Sequence, residues 1–151
     1  MQKRIAILGS TGSIGTQALE VIASHPQKFE VEVLTAQNNV ELLIEQSIRY
    51  QPNVVVIGNE DFYEQVKSAL ASHPIKVYCG AEAIAQVCTF DSVDMVLTAM
   101  VGFSGLRPTS EAIRAGKGIA LANKETLVVA GDLIMKEASA NRVTIIPVDS
   151  E

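Results

Sequence analysis

Seven short apolar segments alternate with helical segments along the whole chain, and this alternation restricts the fold more than any other feature. The apolar segments are residues 4–8, 29–35, 54–57, 75–78, 95–98, 119–122 and 143–148. Most of them are apolar throughout, which is typical of parallel strands that are covered on both faces. The pattern therefore predicts an α/β fold with a doubly wound, mostly parallel sheet of about seven strands and helices on both faces.

Between these strands, the apolar residues are spaced as on one face of a helix. The predicted helices are residues 14–24, 39–50, 61–72, 81–87, 108–115 and 124–140. In the first helix, Ile14, Ala18, Val21 and Ile22 fall on one face, which we expect to be buried. Asn39 is predicted to cap the second helix, because its side chain can accept from a free backbone N–H group of the first turn.

Composition limits the class of protein. The chain has 151 residues, with a hydrophobic fraction of 48% and a charged fraction of 19%, which fits one globular domain. A net charge of −5 argues against a nucleic-acid surface. No apolar run approaches the roughly 20 residues of a membrane helix. We therefore expect neither nucleic acid nor a membrane as a partner.

The two ends of the sequence and its cysteines suggest expectations about the cellular compartment and the extent of the protein. The first strand is predicted to begin close to Lys3, and we therefore expect no signal or transit peptide. Cys79 and Cys88 have apolar neighbours and no metal-ligating neighbours, so we expect reduced structural thiols in a cytoplasmic protein. The sequence stops at Glu151 directly after a strand-like run, and we expect it to be a fragment of a longer protein.

A glycine-rich loop joins the first predicted strand to the first predicted helix. Residues 9–15 read GSTGSIG. Glycine permits positive φ and lets backbone N–H groups approach a pyrophosphate, while the helix N-terminus adds partial positive charge. Ser10, Thr11 and Ser13 offer hydroxyl donors as well. In this strand–loop–helix context, the loop predicts a dinucleotide site rather than a tight turn alone.

The end of the second strand bears on the choice between NAD and NADP. An NAD site carries Asp or Glu about 20 residues beyond the glycines to bind the ribose hydroxyls. Residues 35–39 read TAQNN, and the absence of a carboxylate favours NADP because a 2′-phosphate meets no repulsion there. No Arg or Lys is present in this segment, so Gln37, Asn38 and Asn39 are the candidate amide donors. The alternative is a polar loop with a helix cap.

Three later segments follow predicted strands, at the carboxyl edge of the sheet, where open α/β sheets bind their ligands. Residues 99–102 (AMVG) suit either a flat ring or a flexible turn. Residues 123–125 (NKE) form either a polar site or a capped helix start, which Lys124 fits poorly because of the helix dipole. Asp149 and Glu151 share one side of an extended chain and suit Mg²⁺ or Mn²⁺, although spacing by itself favours a solvated acidic loop.

Three motifs taken together resemble one family. GSTGSIG at 9–15, ANKE at 122–125 and PVDSE at 147–151 occur in the same order and on the same elements as in 1-deoxy-D-xylulose 5-phosphate reductoisomerases. Parts of residues 100–117 are similar as well, so the resemblance covers nearly the whole chain. It implies that residues 1–151 are the NADPH-binding, Rossmann-like domain of such an enzyme, and that the family's C-terminal catalytic domain is absent from this chain.

The resemblance also implies an activity. These enzymes isomerise 1-deoxy-D-xylulose 5-phosphate and reduce it to 2-C-methyl-D-erythritol 4-phosphate in non-mevalonate isoprenoid (isoprene) biosynthesis. They are oxidoreductases that use NADPH and a divalent metal, magnesium or manganese. The full-length protein is then expected to be a homodimer that binds this small-molecule substrate. The fragment alone is expected to be inactive, because the family's further metal-ligating Glu and substrate-phosphate pocket lie in the missing part.

Functional residues are carried over position by position. The resemblance, together with the amide side chains at the end of the second strand, predicts cofactor contacts at Thr11, Gly12, Ser13, Ile14, Asn38, Asn39, Asn123 and Glu125. The resemblance implies catalytic roles for Lys124 and Glu151, substrate contacts for Lys124, Ser150 and Glu151, and metal binding by Asp149 and Glu151. The sequence departs from the family at Gln37 and Asn38, where Gly followed by Lys or Arg is common. That departure bears on the strength of the preference for NADPH.

Two other functions fit parts of the sequence. Another NADP-dependent dehydrogenase, of the semialdehyde or homoserine type, also has a glycine loop and in some cases an Asn-Lys pair after a strand. A non-catalytic nucleotide-sensing module predicts cofactor binding without any role for Asp149 or Glu151. The combination of GSTGSIG, ANKE and PVDSE favours the reductoisomerase.

Overall fold

All the strands that the structure describes lie in one parallel sheet. The structure is a computed structural model that describes residues 2–100, 102–122 and 124–148. The order across the sheet is β4-β3-β2-β1-β5-β6-β7, and each of the neighbouring pairs is parallel. The strands are β1 Lys3–Leu8, β2 Phe29–Ala36, β3 Val54–Ile57, β4 Lys76–Cys79, β5 Met95–Thr98, β6 Gly118–Leu121 and β7 Ile145–Pro147. The predicted fold is confirmed.

Helices connect the strands, as the alternation predicted. They are α1 Ser13–Ser24, α2 Val40–Tyr50, α3 Tyr63–Ala69, α4 Ala81–Val87, α5 Leu106–Arg114 and α6 Lys124–Ala140, with 3-10 turns at Glu60–Phe62 and Gly102–Gly105. Helix α6 is kinked at Ala130, which has non-helical backbone angles. The predicted helix at 61–72 is divided into a 3-10 turn and the shorter α3. Asn59 begins that turn by accepting from the Asp61 N–H group, which starts it earlier than the apolar spacing indicated.

Apolar side chains form one core layer on each face of the sheet. Leu19 of α1, Leu43 of α2 and Val66 of α3 pack on one face. Ile84 of α4, Ile113 of α5 and Ile134 of α6 pack on the other face. In the part of the chain that the structure describes, the sheet is therefore doubly wound, with three helices on each side. The strands are continuous apolar runs because both of their faces are covered.

The buried face of α1 differs from the predicted one. The structure buries Gly15, Leu19 and Ile22, whereas Val21 is 55% exposed. Residues 15, 19 and 22 follow the four- and three-residue steps of a helical face, so the helix is rotated relative to the expected orientation. The contact of Gly15 with the preceding loop, described below, sets this rotation.

The cysteines and the helices bear on two of the expectations. Both cysteines are free, and burial raises the pKa of the Cys88 thiol to about 12. Cys88 therefore packs as a small apolar side chain, as predicted. Within the described ranges, no helix has both the length and the apolar character needed to cross a bilayer.

An ion pair joins the amino ends of β1 and β5. The Arg4 Nε–H group donates to Asp94 Oδ2 at 3.2 Å, and the Arg4 backbone N–H group donates to the same oxygen at 2.8 Å. The Asp94 N–H group in turn donates to the Arg4 carbonyl at 2.8 Å. The hydrogen bond from the Arg4 side chain holds the pKa of Asp94 below its usual value. This pair fixes the relative register of the two central strands at the edge opposite the glycine loop.

We expect Asp94→Asn to reduce the acid sensitivity of folding. A carboxylate with a lowered folded pKa stabilises the protein above its unfolded pKa of about 3.9, and this stability is lost as pH falls through the folded value. Since both side chains are partly exposed, the loss at pH 7 is at most about 1 kcal/mol. Urea unfolding between pH 2 and 7 measures it. The control is Asp91→Asn, because the Asp91 side chain joins no ion pair in the described part of the chain. An unchanged pH profile for Asp94→Asn contradicts the prediction.

Candidate functional site

The glycine loop makes a tight connection from β1 to α1. Residues 9–12 form a turn in which the Gly12 N–H group donates to the Gly9 carbonyl at 3.4 Å. The N–H groups of Gly9 and Ser10 both donate to the Thr35 carbonyl of β2, at 3.2 and 2.8 Å. Helix α1 begins at Ser13, and Gly12 provides no side-chain cap. The first N–H groups of α1 are thus left open to a ligand with negative charge.

The glycines of the loop have two different structural roles. Gly9 has a φ of +83°, and a Cβ atom there would lie 2.7 Å from the Ala99 carbonyl oxygen after β5. A Cβ atom on Gly15 would lie 2.3 Å from the Gly9 carbonyl oxygen and 2.6 Å from Ser10 Cα. At Gly12, however, the nearest atom would be 3.8 Å away. Gly9 and Gly15 therefore allow backbone to pack on backbone, whereas Gly12 leaves open space beside the helix terminus.

A cleft of about 420 Å³ opens between the loops that follow β1, β2 and β5. This volume falls within the usual range for small-molecule and cofactor sites. The lining residues are uncharged: Gly9, Thr11 and Gly12 from the glycine loop, Thr35, Ala36 and Gln37 from the end of β2, and Ile84, Ala99, Met100 and Ser104 from the opposite wall. Glycine and polar residues thus form most of one wall, and mostly apolar residues form the other.

The turn after β2 forms one end of the cleft. The Asn39 side chain caps α2 by accepting from the Leu42 N–H group at 3.3 Å, which confirms its predicted capping role. Asn38 accepts from the Asn59 side-chain amide at 2.9 Å. Both bonds use the amide oxygens, so the NH₂ groups of Asn38 and Asn39 remain available to donate.

A sequence profile described as 1-deoxy-D-xylulose 5-phosphate reductoisomerase matches residues 5–131. The chain belongs to this family. A reductoisomerase of Porphyromonas gingivalis is 62% identical over 151 residues, and the match covers 100% of this chain and 39% of that protein. The chain thus spans about two fifths of the length of the curated relatives that it matches.

Solved reductoisomerase structures share the fold closely. The enzyme from Zymomonas mobilis in complex with NADPH has a TM-score of 0.94 and 36% identity, and the match covers 100% of this chain and 40% of that one. A reductoisomerase structure in complex with magnesium also has a TM-score of 0.94, with 37% identity over 100% of this chain and 38% of that one. Both the strand order and the connecting helices are therefore those of the family.

Homoserine dehydrogenase shares the fold alone. A Staphylococcus aureus structure has a TM-score of 0.64 at 19% identity, and the match covers 99% of this chain and 34% of that one. The alternative of a homoserine-type dehydrogenase thus reflects the common parallel sheet, and membership of the reductoisomerase family replaces it.

The predicted cofactor residues of the glycine loop lie together at the cleft. Thr11 and Gly12 line it directly, and Ser13 and Ile14 are the first two residues of α1. Ser10 is a correction: the sequence made its hydroxyl a candidate donor to phosphate, but Ser10 is fully buried and its Oγ–H group donates to Gln46 at 2.8 Å. The loop turns this side chain toward α2, away from any ligand.

The other reductoisomerase motifs leave the same edge of the sheet. Lys124 and Glu125 begin α6 directly after β6, and Val148, which follows β7, donates its N–H group to the Leu121 carbonyl. Asn123, Asp149, Ser150 and Glu151 lie outside the described residues. Within the described ranges, no group of three acidic, His or Cys side chains forms a candidate metal site.

Sequence reasoning missed residues that reach the cleft from distant elements. Ile84 comes from the first turn of α4, and Ser104 comes from the 3-10 turn after β5. Neither residue carries a local signal, because only the packing of α4 and the β5 connection over the same sheet edge brings them to the wall. Residues 99–102 were named as part of the crevice from the sequence, and Ala99 and Met100 do line the cleft beside Gly9.

We expect Gly15→Ala to destabilise the chain by about 3 kcal/mol, because the new methyl group meets fixed backbone rather than a movable side chain. Gly131→Ala is the matched control, since a Cβ atom there has no neighbour within 4 Å. Gly131 directly follows the kink of α6 at Ala130, and we expect this second change to alter the free energy of unfolding by no more than about 1 kcal/mol. Thermal and urea unfolding measure both variants, and equal stabilities for the two would show that the α1 contact is wrong.

Proposed function

We propose that this chain is the NADPH-binding domain of a 1-deoxy-D-xylulose 5-phosphate reductoisomerase. The observation that carries the proposal is the cleft between the β1 and β5 loops, at the point where the sheet changes winding direction. Dinucleotides bind at this position in open α/β sheets. The similarity to the NADPH complex of the Zymomonas mobilis enzyme, over the whole chain, supports NADPH as the ligand.

The pyrophosphate of the cofactor is proposed to contact Thr11, Gly12, Ser13 and Ile14. These residues supply the turn and the uncapped N-terminus of α1, where free N–H groups and the helix dipole both favour an anion. The space beside Gly12 allows a phosphate to approach the backbone closely. The lining residues are neutral, so backbone donors rather than side-chain cations hold the charge in this part of the site.

The 2′-phosphate is proposed to bind beside Asn38 and Asn39. Both amide oxygens are already used, by Asn59 and by Leu42, which orients the NH₂ groups as donors. Gln37 lines the adjacent part of the cleft and packs against Gly58. The apolar wall formed by Ile84, Ala99 and Met100 is suited to a flat ring of the cofactor.

The remaining site residues are proposed for the whole protein. Asn123 and Glu125 would face the cofactor, Lys124, Ser150 and Glu151 would contact the substrate, and Asp149 and Glu151 would bind Mg²⁺ or Mn²⁺. Carboxylate oxygens are the ligands that these hard cations prefer, and the relative solved with magnesium supports a divalent ion. When bound, NADPH supplies a hydride and the cation polarises a carbonyl oxygen. Lys124 and Glu151 are then the catalytic candidates.

The proposal extends to the setting of the whole protein. We expect it to act on 1-deoxy-D-xylulose 5-phosphate as a homodimer in the cytoplasm, and to supply isoprenoid synthesis. The two free thiols support a reducing compartment. A reductoisomerase solved with the small molecule fosmidomycin and magnesium, 37% identical to this chain, supports a small polar substrate.

Calorimetric titration of the chain with NADPH and with NADH tests the cofactor assignment. We expect saturable binding of both, with NADPH at least about tenfold tighter, because charged hydrogen bonds to the 2′-phosphate contribute more than 1 kcal/mol. Equal affinities would contradict the role of Asn38 and Asn39. An absence of NADPH binding would overturn the proposed function.

Gly12→Ala separates binding from folding. The structure has room for this methyl group, and alanine is less favoured than glycine at the N-cap of α1, so we expect the free energy of unfolding to fall by no more than about 1 kcal/mol. The same methyl group would occupy the approach to the α1 N-terminus, and we expect NADPH affinity to fall about tenfold or more. Fluorescence titration and urea unfolding measure the two effects, and retained affinity would place the pyrophosphate elsewhere.

A further inference from the structure

A buried glutamine of α2 holds the glycine loop through a single loop residue. Gln46 is 4% exposed and Ser10 is fully buried. The Ser10 Oγ–H group donates to Gln46 Oε1 at 2.8 Å, and Gln46 Nε2–H donates to the Ser10 carbonyl at 2.9 Å. The residues are 36 positions apart in the chain, so the contact exists only in the folded protein.

The Ser10 carbonyl belongs to the central peptide of the turn at residues 9–12. In a β-turn, this central peptide can adopt two opposite orientations with little change in the flanking residues. The two orientations correspond to turn types I and II. The peptide is trans and planar, so its carbonyl and the Thr11 N–H group point in opposite directions. With the carbonyl directed to Gln46, the Thr11 N–H group points away from α2.

The Thr11 N–H group is therefore left for a ligand. Within the described part of the chain it donates to no acceptor, whereas the N–H groups of Gly9, Ser10 and Gly12 all have carbonyl partners. Thr11 also lines the cleft. The flipped turn would require a positive φ at Thr11, which a β-branched residue resists, so Gln46 and the Thr11 side chain favour the same orientation.

We propose that Gln46 is a positioning residue that fixes the Thr11 N–H group toward the pyrophosphate of the cofactor. The inference rests on the proposed function, since it assumes that a dinucleotide occupies the cleft. Gln46 itself is buried beneath the loop and acts through Ser10. A preset donor needs no reorganisation when the ligand arrives, and this lowers the cost of binding.

The same helix also carries the cap at the other end of the site. Asn39 caps α2 seven residues before Gln46, about 10 Å along the axis. Loss of the Gln46 contacts alters the loop but leaves the Asn39 turn unchanged. A general distortion of α2 would disturb both, and would change the preference for NADPH over NADH.

The experiment compares Gln46→Met with two other variants in the same 151-residue chain. Methionine keeps the length of the side chain and removes both hydrogen bonds. Ser10→Ala removes the hydroxyl, which donates to Gln46 Oε1 and also lies 3.3 Å from the Thr35 carbonyl, and it keeps the Gln46 bond to the Ser10 carbonyl. Ser47→Ala is the matched control, because Ser47 is a fully buried polar residue of the same helix whose hydroxyl donates to the Leu43 carbonyl.

We expect Gln46→Met to weaken NADPH and NADH binding alike, by about tenfold, with the ratio of the two affinities unchanged. Ser10→Ala should weaken both by about threefold or less, and Ser47→Ala by less than about twofold. Titrations are made well below the melting temperature of each variant, so that loss of folding does not contribute. NADPH affinity within twofold of the original for folded Gln46→Met would overturn this inference alone.

Amide hydrogen exchange of the original chain gives a second readout that needs no variant. We expect saturating NADPH to slow exchange of the Thr11 N–H group at least about tenfold, because that group gains an acceptor. Unchanged exchange at Thr11 in a chain that binds NADPH contradicts the inference. If the original chain binds no NADPH, the proposed function and this inference fail together.

Discussion

The central position of β1 between β2 and β5 is the constraint on which the site depends. From β1 the chain winds outward to β4, and it then returns to place β5 against the other side of β1. The seven described strands are parallel, so the loops after β1 and β5 leave the same edge and separate to opposite faces. The cleft lies between them. Gly9 and Ala99 both line it, and a Cβ atom at position 9 would prevent their close backbone contact.

Hydrogen bonds from β2 and α2, rather than apolar packing, determine the shape of the glycine loop. The Thr35 carbonyl accepts from two loop N–H groups, and Gln46 binds both the hydroxyl and the carbonyl of Ser10. Buried polar groups that are fully paired favour one backbone arrangement, because any other arrangement leaves them without partners. The loop thus presents its remaining donors at Thr11 and at the start of α1.

Local patterns predicted the elements well and their orientation less well. The strands at 54–57 and 95–98 and the helices at 81–87 and 124–140 have the predicted bounds, because apolar runs and their flanking turn residues are short-range signals. The buried face of α1 was wrong at Val21, since Gly15 packs on the loop and rotates the helix. Ser10 was assigned to the ligand, although its hydroxyl is directed to a residue that no local pattern connects with it.

The sequence by itself determined the parallel α/β class, the position of the glycine loop and the family, because alternation, glycine spacing and the three motifs are all local. Only the tertiary structure decided which residues meet. It brought Ile84 and Ser104 to the cleft wall and placed Gln46 beneath the turn. It also left free space beside Gly12, whereas Gly15 packs directly on the loop backbone. These contacts join residues far apart in the chain, and their existence depends on how helices pack over the sheet, which residue spacing does not specify.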